Sequence, residues 1–300
     1  MNKSINYLLL SLSLFYAAQS QSQSAWLSTP ESIEQFRNQV ESMKPATSNI
    51  PLSSVKDITL KLAQRDIAIR VYKPSGKEPK PVLIYVHGAC WVAGSLDSHD
   101  EVSRYLAKES NVTVVAIDYR LAPEFKYPAA HDDVYDAVKW VWDNADNLNV
   151  DRTKFAISGE STGAYFAAAT SIRALQETDA PKIAFQLLVY AALDGAGSSW
   201  TECKEQYFAQ KTDSRSDVGS PLWASNLAGL PTTYNIFGQY EISRAEEELF
   251  IRKLAEQGVS THSFMNKDVG HDVVKWLSVT GDLKAHKKAV EYIKTGFGLE

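Results

Sequence analysis

The sequence is poor in the features that define several classes of protein. Only two of its 300 residues are cysteine, its formal net charge is -5, and lysine and arginine form no long cluster. The charge therefore argues against nucleic-acid binding as the main function of this protein. No internal repeat or low-complexity tract is present. The length and a hydrophobic share of 44% fit one large globular α/β domain.

Motifs for cofactors and metals are also missing. No G-x-G-x-x-G follows a strand-like run, no P-loop occurs, and no set of histidines and cysteines has zinc spacing. We therefore expect no cofactor and no metal. The two cysteines, Cys90 and Cys203, would be free to pair in an exported protein, but a core of this size does not need a disulfide. The sequence leaves their pairing open.

The first 20 residues have the character of a secretory signal peptide. Lys3 precedes an apolar run from Ile5 to Ala18, and small residues lie at the -3 and -1 positions of a cleavage site after Ser20. The alternative is a membrane anchor or a hydrophobic cap helix, but the run is shorter than the roughly 20 apolar residues of a spanning helix. No later segment could span a bilayer. We predict an exported protein, secreted or periplasmic, without stable membrane insertion after cleavage.

Strand-like and helix-like segments alternate through the rest of the chain. The strand-like runs are 58–62, 67–72, 82–86, 112–117, 155–157, 185–190, 234–237 and 260–265. Helical patterns lie between them at 102–108, 133–142, 164–175 and 245–257. This alternation predicts a mostly parallel sheet with helices on both faces. Residues 195–221 interrupt it and are expected to cross the active-site face as a lid.

The segment Gly159-Glu160-Ser161-Thr162-Gly163 is the strongest motif. It lies between a strand-like and a helix-like run, and the G-x-S-x-G pattern in that position is typical of a nucleophile elbow. We expect Ser161 to be a catalytic nucleophile. Such a serine needs a base, an acid that orients the base, and donors for the developing oxyanion.

The base and the acid are expected later in the chain, in the order serine, acid, histidine. Among six histidines, only His271 lies late in the chain on a turn after a strand-like run. Glu241 follows the run 234–237 and is the predicted acid. Asp194 and Glu246 are the rivals, although Glu246 also fits an S-x-x-E capping box with Ser243.

The oxyanion donors are expected to be backbone amides. One belongs to Thr162, directly after the nucleophile, and the others belong to Ala89 and Cys90 in the loop after the run 82–86. We expect Cys90 to be a small packing residue near the acyl group and not a second nucleophile. The alternative is a strand-to-loop turn without a catalytic role.

These segments resemble the hormone-sensitive-lipase-like carboxylesterases of the α/β-hydrolase superfamily over nearly the whole mature chain. Residues 82–94 resemble the family's strand and H-G-G-G-W loop, and the D-Y-R-L-A-P-E stretch at 118–124 matches a family signature almost letter for letter. Ser161, Glu241 and His271 match the nucleophile, acid and base. The resemblance implies the α/β-hydrolase fold, a domain at 21–300, and a helical cap built from about 21–51 and 195–221.

Four positions depart from the family pattern. Ala89 and Cys90 replace glycines of the loop, Glu160 replaces the aspartate before the nucleophile, Glu241 replaces an aspartate, and Asp272 replaces a glycine. None removes a required group. The sequence thus predicts an exported serine carboxylesterase, and the resemblance implies that its substrates are short-acyl esters. The alternatives are an amidase or deformylase with the same triad, or a non-catalytic binding protein on the same fold. A homodimer is left open.

Overall fold

Eight strands form one sheet whose central part is parallel. The computed structural model describes residues 27–42, 49–271 and 283–300, so the predicted signal peptide and Asp272 lie outside the described residues. The strands are β1 (Ser54–Lys61), β2 (Asp66–Lys73), β3 (Lys80–Val86), β4 (Thr113–Asp118), β5 (Val150–Glu160), β6 (Phe185–Val189), β7 (Thr232–Gly238) and β8 (Thr261–Asn266). They lie in the order β1-β2-β4-β3-β5-β6-β7-β8. Only β1 with β2 and β2 with β4 pair antiparallel.

Helices pack on both faces of this sheet. They are α1 (Pro30–Ser42), α2 (Asp100–Ser110), α3 (Ala129–Asp143), α4 (Thr162–Gln176), α5 (Thr201–Tyr207), α6 (Arg244–Glu256) and α7 (Lys284–Phe297). Two short 3₁₀ turns, Asp213–Arg215 and Pro221–Trp223, follow α5. The predicted fold class, a mostly parallel sheet flanked by helices, is confirmed.

The apolar runs form strands because both faces of the central sheet are covered. In β3, Leu83 faces one hydrophobic cluster and Ile84 faces the other, and both side chains are fully buried. Such strands have no solvent face, so their sequences are continuously apolar. The edge hairpin of β1 and β2 alternates in burial instead, as the alternating sequence of this hairpin predicts.

The D-Y-R signature has a structural role in this fold. The guanidinium of Arg120 donates to both carboxylate oxygens of buried Asp133 on α3, at 2.7 and 2.8 Å. Arg65, from the turn between β1 and β2, donates to the same carboxylate at 2.5 Å. Asp133 therefore joins the hairpin and the loop after β4 to a helix, and two arginines satisfy its charge.

The sheet brings four loops to one edge. Strands β3, β5, β7 and β8 are all parallel, so the segments after them leave from the same end of the sheet. The segment after β3 carries the candidate oxyanion loop, residues 87–91. The segments after β5, β7 and β8 carry Ser161, Glu241 and His271, respectively. Among the described residues, no helix is both long and apolar enough to cross a membrane.

Candidate active site

The turn at Ser161 is as sharp as the G-x-S-x-G pattern predicts. β5 ends at Glu160 and α4 begins at Thr162, so Ser161 alone connects strand to helix, with φ 54° and ψ -120°. A non-glycine residue in this region costs about 1–3 kcal/mol, which the surrounding structure must offset. A Cβ atom on Gly163 would lie 1.9 Å from the carbonyl oxygen of Val86, and one on Gly159 would lie 2.3 Å from the backbone of Gly163. Both flanking positions therefore require glycine.

Ser161, His271 and Glu241 form a continuous hydrogen-bonded chain. His271 Nε2 lies 2.9 Å from Ser161 Oγ, and His271 Nδ1 lies 2.9 and 2.8 Å from the two carboxylate oxygens of Glu241. The carboxylate can only accept, so Nδ1 carries the proton and Nε2 is left to accept the serine hydroxyl. Ser161 and Glu241 are each 6% exposed. This arrangement can deprotonate a nucleophile and stabilise the resulting imidazolium.

Glu241 is held in its charged form. Its Oε1 accepts the hydroxyl of Ser243 at 3.1 Å and the backbone amide of Ser243 at 3.3 Å. Burial acts to raise the pKa of Glu241, but the charge and hydrogen bonds of His271, together with the bonds from Ser243, outweigh it and place the pKa below its ordinary value. The longer arm of a glutamate is thus accommodated with both oxygens satisfied.

The rival acids have other partners. Asp194 Oδ1 accepts the amides of Ala196 and Gly197 at 2.9 and 2.8 Å, and its Oδ2 accepts the indole of Trp223 at 2.9 Å. It holds the start of the 195–221 segment. Glu246 accepts the backbone amide of Asp194 at 3.1 Å.

The predicted capping box is wrong. Helix α6 does begin after Ser243, but the hydroxyl of Ser243 donates to Glu241 instead of capping the helix. Glu246 is turned toward the amide of Asp194. Both side chains have partners outside the helix that a local motif does not show.

The candidate oxyanion loop, residues 87–91, keeps a glycine-like backbone at Ala89 and Cys90, which replace glycines of the family pattern. The φ angles of Ala89, Cys90 and Trp91 are 86°, 59° and 59°. The amides of Val92 and Ala93 both donate to the carbonyl of Ala89, at 3.2 and 3.1 Å, which closes the turn. Three consecutive residues in this region together store several kcal/mol, at about 1–3 kcal/mol each. The surrounding structure must therefore hold the loop in place.

Glu160 holds one side of this loop. Its Oε1 accepts the amide of Gly88 at 2.5 Å and lies 2.9 Å from His99 Nε2, and both side chains are 1% exposed. The ring of His87 stacks between His99 and Tyr119, with centroid distances of 5.1 and 4.3 Å. Glu160 directly precedes Ser161, and its side chain therefore connects the turn at Ser161 to the start of the loop after β3.

The structure answers the question of cysteine pairing, which the sequence leaves open, and gives Cys90 a covalent role beyond the packing expected of it. Cys90 forms a disulfide with Cys203 on α5, and their Cα atoms are 5.1 Å apart. Cys203 is fully buried and Cys90 is 8% exposed. The bond connects the oxyanion loop to the 195–221 segment, across 113 residues of sequence.

Two aromatic residues that the sequence analysis did not single out contact the base. The rings of Tyr190 and Trp200 lie 4.5 and 4.6 Å from the ring of His271, centroid to centroid. Tyr190 directly follows β6, and Trp200 precedes α5. The tryptophan content of the predicted lid was the one available signal for the second contact. Among the described residues, no group of three or more histidine, cysteine or acidic side chains could hold a metal ion.

Comparison with known proteins identifies the family. A family model described as the alpha/beta hydrolase fold matches residues 83–275. The chain belongs to the α/β-hydrolases. It is 31% identical to an arylesterase of Saccharolobus solfataricus over 79% of this chain and 82% of that protein, and 29% identical to an ethyl acetate hydrolase of Pseudomonas putida over 73% and 76%. The solved hyperthermophilic esterase of the archaeon Pyrobaculum calidifontis is 32% identical, with a TM-score of 0.84 over 98% of each chain. The predicted hormone-sensitive-lipase-like membership is confirmed.

A second carboxylate lies behind the acid of this α/β-hydrolase. Glu247 on α6 is fully buried. The side-chain amide of Asn235, oriented with its nitrogen toward this carboxyl group, donates to Glu247 Oε2 at 3.0 Å. Burial, and then the nearby negative charge of Glu241, raise the pKa of Glu247 well above its ordinary value. These surroundings therefore favour the neutral form of Glu247, whereas those of Glu241 favour the charged form beside His271.

The stability of the protein should reflect the raised pKa of Glu247. A raised folded pKa contributes stability that is fully present below the unfolded pKa, about 4.5, and is lost as pH rises toward the folded value. Glu247→Gln removes the titration, so we expect the variant to gain on wild type by up to about 1.4 kcal/mol per pH unit above 4.5. The measurement is the free energy of unfolding at pH 5 and pH 8. Exposed Glu248→Gln on the same helix is the control, and an equal difference at both pH values would contradict the expectation.

Proposed function

We propose that this carboxylic ester hydrolase acts on short-acyl esters through a Ser161–His271–Glu241 triad and an acyl-enzyme. That the chain is a carboxylic ester hydrolase follows from its family and relatives. The triad is supported above all by the 2.9 Å contact between His271 Nε2 and Ser161 Oγ, with Glu241 at Nδ1. A free serine hydroxyl is a weak nucleophile, and this contact gives it a base.

The proposed reaction has two halves. Ser161 Oγ attacks the ester carbonyl carbon while its proton passes to His271 Nε2, and the carbonyl π electrons move to oxygen. The intermediate then collapses, and the alcohol leaves with the proton from Nε2. In the second half His271 deprotonates a water that attacks the acyl-enzyme. The carboxylic acid product is then released as the Ser161 oxygen takes back the proton from His271. Glu241 stabilises the imidazolium in both halves.

The oxyanion would be bound by backbone amides of Ala89, Cys90 and Thr162. Thr162 is the first residue of α4, so its amide is one of the donors that a helix N-terminus leaves without an intrahelical partner. Preorganised donors of this kind act where charge develops, and each is worth roughly 2.7–4 kcal/mol in the transition state. The cap formed by 195–221 is likewise part of this proposal, supported by the contact of Trp200 with His271.

The first prediction from this proposed function concerns activity. Wild type should hydrolyse p-nitrophenyl acetate and butyrate, and a fluorophosphonate should label Ser161, as peptide mass spectrometry will show. Ser161→Ala should lose about six orders of magnitude in kcat, since the nucleophile is absent. Matched anilides and formyl amides test the amidase and deformylase alternative. Hydrolysis that survives in Ser161→Ala, or labelling elsewhere, contradicts the assignment, and an inert but folded wild type favours a binding protein.

The second prediction concerns the acid. Glu241→Gln keeps the shape of the side chain but removes the charge that supports the imidazolium, so kcat should fall by up to about 10⁴-fold. Asp194→Asn is the matched control. It should cost less than about 10-fold, because Asp194 binds amides of the 195–221 segment and the Trp223 indole. Steady-state kinetics on p-nitrophenyl acetate compares them, and a reversed order would make Asp194 the acid.

The third prediction concerns export. The proposal that the protein is secreted or periplasmic rests on Lys3, the apolar run from Ile5 to Ala18 and the small residues before Gln21. Protein recovered outside the cytoplasm should begin at Gln21 by intact mass. Ala18→Arg, which places a large charged side chain at the -3 position, should leave uncleaved precursor. Recovery of the full-length chain from a washed membrane fraction would support the anchor alternative.

A further inference from the structure

Helix α5 contacts the catalytic centre at three successive points. Trp200, just before the helix, packs its ring against His271 at a centroid distance of 4.6 Å. Cys203 is bonded to Cys90 in the oxyanion loop. Tyr207, one turn further along the same face, stacks its ring on Trp91 at 5.7 Å. The helix therefore faces both the base and the oxyanion loop.

The oxyanion loop needs support from outside itself. Its first amide, that of Gly88, is held by Glu160, but the next three residues all have positive φ and all carry side chains. Glycine adopts such angles freely, whereas other residues keep them only where their surroundings impose them. Cys90 is the middle residue of the three, and its side chain is bonded to buried Cys203. The covalent bond thus acts at the centre of the three residues with positive φ.

We propose that the Cys90–Cys203 disulfide positions the backbone amides of Ala89 and Cys90 for oxyanion binding, so that Cys203 is a positioning residue of the reaction. This inference rests on the proposed function. In this protein a covalent bond to the 195–221 segment maintains the positive φ angles that glycine would otherwise adopt freely in the loop. The segment then supports the chemistry in addition to covering the site.

The alternative is a disulfide that only stabilises the fold. Closing a loop of 113 residues restricts the unfolded chain, and that effect does not depend on what the oxyanion amides do. A bond of that kind would change the unfolding midpoint and leave kcat unaltered in the folded enzyme. The two roles are therefore separated by kinetics measured well below the unfolding transition.

Cys203→Ala removes the bond and leaves the loop sequence intact. Cys90 is then a side-chain-bearing residue at φ 59° without its constraint, and the loop should relax away from the oxyanion. We expect kcat for p-nitrophenyl acetate to fall by at least about 10-fold, and by at most the roughly 10²–10³-fold cost of losing one oxyanion donor completely. KM should change less, because the donors act mainly on the transition state.

The double variant Cys90→Gly with Cys203→Ala is the decisive comparison. Glycine adopts the required φ without a bond, so most of the lost kcat should return although the disulfide is absent. A purely stabilising disulfide predicts no such recovery. Folding of each variant is checked by circular dichroism and by its unfolding midpoint, and kinetics are measured below the lowest midpoint.

Reduction of the wild-type enzyme provides a second route to the same state. A water-soluble phosphine transfers two electrons to the disulfide, which takes up two protons and becomes two thiols, while the phosphine gains an oxygen atom from water. Alkylation and mass spectrometry count the thiols. The reduced wild type should show the low kcat of Cys203→Ala, and reoxidation with oxidised glutathione should restore it. Cys203→Ala itself should not respond to the phosphine.

Several outcomes would overturn the proposal. One is a wild-type kcat in folded Cys203→Ala, and another is a double variant as slow as the single one. If Cys203→Ala does not fold, the reduced wild type decides, and loss of folding there too would assign the bond to folding alone. An inactive but folded wild type would instead refute the proposed function, so the two failures are distinguishable.

Discussion

The site depends on the close approach of Gly163 to the backbone of β3. The position where a Cβ would lie is 1.9 Å from the carbonyl oxygen of Val86, so α4 can start only where a glycine lets it meet the sheet. That contact sets the height of Ser161 above the strands and the distance from the elbow to the loop that follows Val86. Ser161 and the loop after β3 are thereby placed by the same steric constraint, and the methyl group of an alanine at position 163 would not fit.

Burial and hydrogen-bonded contacts together determine which carboxyl group at the site is charged. Glu241 and Glu247 are both buried, but only Glu241 has a partner that becomes a cation and two donors from Ser243. Two ionised carboxylates so close together would repel each other in a medium of low polarity. The raised pKa of Glu247 and the lowered pKa of Glu241 therefore favour negative charge on the carboxylate that contacts His271.

Periodicity and spacing predicted the features that local sequence and steric limits determine. They missed the contacts that depend on the path of the irregular segment 195–221. The buried strands, the elbow at Ser161 and the late turn of His271 follow from apolar runs and a required glycine pattern. The bond to Cys203 and the contact of Trp200 depend on how 195–221 returns over the sheet, and no periodic pattern determines that path. Glu247 could not be told from its neighbours in a run of three glutamates, because the phase of α6 decides which one is buried.

The proposed catalytic base follows one of the two edge strands of the sheet. β8 is the last strand in the order and, within the described residues, pairs with β7 alone, and the loop with His271 follows it. An edge strand can separate locally at a lower free energy than the whole domain needs to unfold. Heat should therefore inactivate the enzyme before its core melts, since fraying of one edge removes the histidine while Ser161, deep in the centre, stays in place. The temperature of inactivation would then follow the pairing of this edge strand and not the global stability.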